Sequence, residues 1–163
     1  MSADPRSRAQ RRRDTEHRLA HDVDVWVASA SADGAPYLVP LSFDWDGEAL
    51  LLATPTDSPT GRNLAATRTV RLGLGHTRDV TMIEGEVEIL EIGALPREQG
   101  DRFAARTGFD PRTLATPYRW FRIVPRRIQS WREADELPGR ELMRDGRWLV
   151  ESRSSAVFDE VTE

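Results

Sequence analysis

The stretch VDVWVASASADGAPYLVPLSFDWDGEALLLA, Val23 to Ala53, decides the fold. Val23, Val25, Val27 and Ser29 alternate with Asp24, Trp26 and Ala28, the period-two pattern of a strand whose second face is also partly apolar. Ala32-Asp33-Gly34-Ala35-Pro36 reads as a turn, in which Asp-Gly supplies the positive φ and Pro36 ends the reversal. Tyr37 to Trp45 resumes as a strand. Pro40 inside it cannot donate to a ladder, which predicts an edge or a bulge at that point. Asp46-Gly47 makes a second hairpin turn, and Ala49 to Ala53 a third strand. Three strands joined by two tight turns form an antiparallel meander.

Working outward, Ser58 is a natural N-cap and Pro59 suits a first helical turn, so a short helix is expected from about Pro59 to Thr67. The amides of Thr60, Gly61 and Arg62 are expected to lack intrahelical acceptors. With the helix dipole, the Thr60 hydroxyl and the Arg62 cation they make a candidate anion cradle, and Gly61 leaves room for a ligand to approach the backbone. Val70 to Leu74 alternates as a fourth strand. Val80 to Glu91 is a long fifth, with a bend or bulge at Gly85. Pro96 to Thr107 reads as a helix with Phe103 turned inward. Tyr118 to Trp131 is a sixth strand, broken by Pro125, and Glu141 to Val150 a hairpin around Asp145-Gly146. The chain is therefore read as mainly β, a small closed or nearly closed antiparallel barrel of six strands with two or three short helices. Residues 1–22 form a charged tail leading into a short helix, 23–150 the barrel, and 151–163 a loose polar tail.

Composition narrows the chemistry. All 23 basic residues are arginine, so a lysine Schiff base and a lysine phosphate clamp are excluded. The chain has no cysteine, which removes disulfides, thiol nucleophiles and thiolate metal sites. A formal net charge of −4 argues against nucleic acid as the main partner, and Arg11-Arg12-Arg13 is read as a solvated face. No apolar run approaches the roughly 18 residues needed to cross a bilayer and no signal-peptide core is seen, so no membrane partner and a cytoplasmic location are expected.

Self-contained catalytic sets are missing. His17 and His21 stand one helical turn apart but lack a third ligand at a useful spacing, and no metal site is expected. His76 is isolated in a loop. The pairs Asp44 and Asp46, and Glu84, Glu86 and Glu88, have the spacing of an exposed strand face. No Gly-x-Ser-x-Gly, Gly-x-Gly-x-x-Gly or Walker loop is present. An enzyme built this way relies on a bound cofactor for its reaction. The five tryptophans suit core or interface packing.

The order of motifs carries a resemblance. Trp26-Val27-Ala28-Ser29-Ala30, Asp33 to Leu41, Leu52-Ala53-Thr54-Pro55, Ser58-Pro59-Thr60-Gly61-Arg62-Asn63-Leu64, Val70-Arg71-Leu72 and Glu84-Gly85 follow one another as they do in the pyridoxamine 5′-phosphate oxidase-like superfamily. The series is most similar to its actinobacterial branch that uses FMN or the deazaflavin coenzyme F-420. That resemblance implies a homodimer of six-stranded antiparallel split β-barrels with the cofactor in a cleft at the dimer interface. It implies that Val39, Pro40, Leu41 and Ser42 lie along the cofactor ring and that Thr54 and Pro55 flank it. Ser58, Thr60, Arg62 and Asn63 would hold the phosphate end, and Trp131 would close the cleft. Two departures stand out: Thr60 occupies a position where the family often has lysine, and the C-terminal arginine and histidine of true pyridoxamine phosphate oxidases are missing. Oxidation of vitamin B6 is therefore not expected. The resemblance implies a flavin- or deazaflavin-dependent oxidoreductase acting on a small organic substrate. The alternative is a non-catalytic carrier of flavin, deazaflavin or haem.

Overall fold

The alternating pattern of the meander is realised as β1 (Asp24–Ala30), β2 (Pro36–Trp45) and β3 (Leu50–Pro55), each antiparallel to the one before. The computed structural model describes residues 4–152. Before the meander stands α1 (Arg8–His21); after it come α2 (Pro59–Thr67), β4 (Thr69–His76), β5 (Asp79–Glu91), α3 (Arg97–Thr107), β6 (Tyr118–Trp131), β7 (Glu141–Arg144) and β8 (Arg147–Trp148). The sheet order is β3-β2-β1-β4-β5-β6-β7-β8, and a further pairing of β3 with β6 closes the first six strands into a barrel. The expected hairpin at Asp145-Gly146 is β7–β8, with Asp145 itself in the left-handed region at φ 53°. The tail expected from residue 151 lies, from Arg153 on, outside the described residues.

Where the barrel splits is set by two prolines. β2 and β3 pair at Trp45–Leu50, Asp44–Leu51 and Phe43–Leu52, and then the ladder stops. Continued in register, it would place Pro40 opposite Pro55, and neither can donate an N–H. Pro36 to Ser42 therefore pair only with β1, while Ala53 to Pro55 pair only with β6. The two strands diverge there. The edge expected at Pro40 is this unpaired margin.

Pro125 does not break β6. Gly85 pairs with Pro125 and Glu84 with Arg127, so the register shifts by one residue and the strand runs on. A bulge absorbs the missing donor, because the extra residue leaves the ladder locally open in any case. Inside the barrel, Val25, Val27, Phe43, Leu50, Leu52, Leu72, Ile83, Ile123 and Ile128 form the main core, joined by Leu19 of α1 and Leu64 of α2. A second cluster lies under α3, where Phe103 meets Trp120 edge-on at 5.1 Å and 83°. The Trp120 indole N–H donates to the Ile92 carbonyl at 3.2 Å, so its burial leaves no polar atom unpaired.

The N-terminal segment is not the solvated face its arginines suggest. Arg11 is buried and donates to the carbonyls of Ser130, Glu136 and Pro138, while Arg12 lies over the Trp148 ring and donates to the Val150 carbonyl. Ahead of the helix, Arg6 grips Glu136 through its guanidinium (2.7 Å) and its own amide (2.8 Å), and Glu136 also accepts the Arg132 amide. Asp44 is likewise buried rather than exposed, and takes Arg102 and Arg106 from α3. Arg6, Arg11 and Arg106 each spread a planar set of donors over several acceptors, a geometry that a compact ammonium does not match.

Burial by itself would raise the Glu136 pKa, but the Arg6 guanidinium and amide outweigh it and hold the carboxyl at about 2. A carboxyl with a lowered folded pKa adds stability above its unfolded pKa and loses it as pH falls through the folded value. Glu136→Gln removes the closest of three carboxylates around Arg6, leaving Asp14 and Asp79, and is expected to cost about 2 kcal/mol at neutral pH in urea unfolding. The gap from the unmodified chain should narrow as pH falls from about 4.5 toward about 2.

Candidate functional site

The divergence of β2 and β3 opens a cleft of about 240 Å³. One side is Pro40, Leu41 and Ser42 of β2, and the other is Ala53, Thr54 and Pro55 of β3. Phe103 of α3, Phe109 of the following loop and Tyr118 at the start of β6 complete the wall. Tyr118 is placed there because it pairs with Pro55 across β3–β6. Phe109 and Tyr118 meet at 5.6 Å with their planes tilted by 53°. The polar groups are few: the Ser42 hydroxyl donates to Asp24 at 2.7 Å, and the Thr54 hydroxyl lies 3.3 Å from that of Ser58.

The loop carrying Phe109 is fastened to α3. Arg112 forks onto both oxygens of Asp110 (2.9 Å each) and reaches Asp101 on the helix at 2.8 Å. Its guanidinium lies across Gly100, where a Cβ would stand 2.6 Å from Nη1. Hydrogen bonds from Arg112 hold the Asp110 carboxyl below the usual carboxylate range. At the other end of the loop the Thr56 amide donates to the Pro117 carbonyl at 3.0 Å.

Of the residues expected to meet a cofactor ring, Pro40, Leu41, Ser42, Thr54 and Pro55 converge on this cleft; Val39 packs against the barrel core instead. The helix end is more closed than its sequence suggests. Ser58 caps α2 by accepting the Gly61 amide at 3.0 Å, and its carbonyl accepts the Arg62 amide at 2.9 Å. Two of the three amides expected to be free are thus taken. Gly61 leaves no opening for a ligand, because the space of its absent side chain is filled by the carbonyls of Pro55 and Thr56. Thr60 is buried, and Asn63 is turned inward to donate to Ser29 at 3.1 Å. Arg62 remains exposed, with its guanidinium bent back onto the Asp57 carbonyl.

Trp131 stands at the far end of β6 from Tyr118 and lines a different groove. That groove, about 500 Å³, runs over the outer face of β1, β4, β5 and β6 and includes Trp26, Leu38, Gly73 and Met82. Beside it lies a more polar groove of about 710 Å³ with Ser29, Arg71, Glu86 and Arg126. His17 and His21 stack at 4.1 Å on α1, and no group of three metal-ligating side chains exists among the described residues. No helix among them is long and apolar enough to cross a membrane. Phe109 and Tyr118 escaped the sequence reading as site residues. Tyr118 is found only through the β3–β6 register that sets it opposite Pro55, and Phe109 through its contact with Tyr118.

Residues 17–132 match the family model described as pyridoxamine 5′-phosphate oxidase. Among solved structures, an F420 reductase superposes with a TM-score of 0.56 at 21% identity, over 69% of this chain and 94% of that one. General stress protein 26 from Bacillus anthracis gives 0.52 at 19% identity, over 71% and 90%. HupZ from Group A Streptococcus gives 0.55 at 19% identity, also over 71% and 90%. At these identities the likeness concerns the fold. No curated protein matches the chain.

The tight seat of Gly61 makes a direct test of the helix end. Gly61→Ala forces a methyl group against the Pro55 carbonyl and is expected to cost about 2 kcal/mol in urea unfolding. Ala65→Ser, further along the same helix, should cost under about 1 kcal/mol.

Proposed function

The chain belongs to the pyridoxamine 5′-phosphate oxidase family, and on that footing we propose that it binds a flavin or deazaflavin cofactor in the cleft between β2 and β3 and works as an oxidoreductase on a small organic substrate. The observation that carries this reading is the convergence of Pro40, Leu41, Ser42, Thr54 and Pro55 with three aromatic side chains at the split of the barrel. The cleft is lined mostly by apolar and aromatic side chains, as a site for a planar ring should be. A bound flavin or deazaflavin supplies hydride transfer. The chain's own part is to seat the ring and exclude water with Phe103, Phe109 and Tyr118.

A cleft of about 240 Å³ is small for a whole cofactor, since sites for such ligands usually run from about 300 to 1,000 Å³. A second copy of the chain would complete it. The outer sheet face supports that homodimer: Trp26 is 53% exposed, Leu38 60% and Met82 45%, a cluster of the kind that interfaces cover. One observation favours the carrier alternative: no carboxylate, imidazole or guanidinium lines the cleft, so no strong proton donor stands beside the ring.

Fluorescence titration with FMN and with the deazaflavin coenzyme tests the cofactor. Binding of at least one is expected at or below the order of tens of micromolar, and binding of neither would sink the proposal. Stopped-flow reduction of the bound cofactor with a substrate panel separates enzyme from carrier, because a carrier binds without turnover. Trp26→Glu is expected to convert the dimer to monomer in sedimentation equilibrium while leaving the circular dichroism spectrum unchanged.

A further inference from the structure

The two ends of the candidate site are unequally equipped. At the helix end, the Gly61 and Arg62 amides are spent on Ser58, Asn63 is spent on Ser29, and Thr60 is buried. The carbonyls of Pro55 and Thr56 close over Gly61. The Arg62 guanidinium is already engaged by Asp57, and the chain has no lysine to take its place. A phosphate arriving there would find only the Thr60 amide and the outer donors of one exposed guanidinium unspent, a weak grip in water. The ring end differs. Phe103, Phe109 and Tyr118 line that end, and the Phe109–Tyr118 pair is braced: the Arg112 fork fixes Asp110 to Asp101 and so holds Phe109 against Tyr118.

The geometry points to a site that holds its ligand by the ring and not by the phosphate, with Arg112 as the positioning residue of the ring-binding wall. The ligand class is a flat heteroaromatic ring system whose tail need carry no phosphate, as in riboflavin. This rests on the reading of the cleft as a flavin or deazaflavin site and narrows it. Arg112 touches no ligand in this scheme. It acts through the loop it fastens, and lysine could not replace it because an ammonium lacks the planar fork that takes both oxygens of Asp110 while reaching Asp101.

The test is fluorescence titration of the full chain with FMN and with riboflavin, repeated for Arg62→Ala and Arg112→Ala. The expected outcome is that the two ligands bind the unmodified chain within about threefold of one another, where a phosphate anchored by charge-assisted bonds would separate them by about tenfold or more. Arg62→Ala should change FMN affinity by less than about threefold. Arg112→Ala should weaken both ligands by about tenfold without changing their ratio. In hydrogen exchange of the ligand-free chain, the same variant should speed the Phe109 amide, which donates to Thr107 at 3.2 Å, while the β6 amides stay protected. FMN binding about tenfold or more tighter than riboflavin, with the advantage lost in Arg62→Ala, would overturn the inference and leave the flavin reading standing. Arg112→Ala with unchanged affinities would overturn the role of Arg112. Binding of neither ligand would overturn this inference, and failure of the deazaflavin coenzyme to bind as well would overturn the cofactor reading itself.

Discussion

A backbone ladder that cannot continue governs this molecule. After Phe43–Leu52, the next positions of β2 and β3 lead to two facing prolines, and an antiparallel pair without donors cannot propagate. On its other edge β3 pairs with β6 along its whole length, from Leu50–Ile123 to Pro55–Tyr118. That pairing closes the barrel and removes an exposed edge. It also leaves a wedge between β2 and β3, into which only side chains project. The cleft is a by-product of how the barrel is closed, and its wall residues are the strand ends that flank the stop.

Strand order and turn positions were legible because they depend on local chemistry: Asp-Gly turns, period-two alternation, and an N-capped helix opening on Pro59. The helix from Pro59 to Thr67 and the barrel of six strands were both readable in this way. What escaped depends on partners distant in the chain. Pro125 reads as a break, yet Gly85 opposite it turns the interruption into a bulge. Asp44 reads as surface because it sits two residues from Asp46, but α3 lays Arg102 and Arg106 over it. Phe109 and Tyr118 become site residues only when the β3–β6 register is known.

The arginine usage belongs to the same pattern. Arg6, Arg11, Arg106 and Arg112 each reach two or more acceptors, several of them carbonyls at strand or helix ends. A planar fork with five donors suits that work, and a lysine ammonium does not. In this chain arginine is as much a structural cross-tie as a surface charge. That explains why Arg11, in a run of three, ends up buried, and why the helix end expected to bind an anion is short of free cations.

The cross-tie between α1 and the last strands has a consequence for biosynthesis. Arg11 reaches the Ser130 carbonyl 119 residues away, and Arg12 the Val150 carbonyl 138 residues away. During vectorial synthesis at about 5–20 residues per second, α1 leaves the ribosome roughly ten seconds before its docking surface exists. Its inward residues Arg11, Thr15 and Leu19, the last bound for the barrel core, wait in the open for that interval. The helix is the first element made and among the last to find its place.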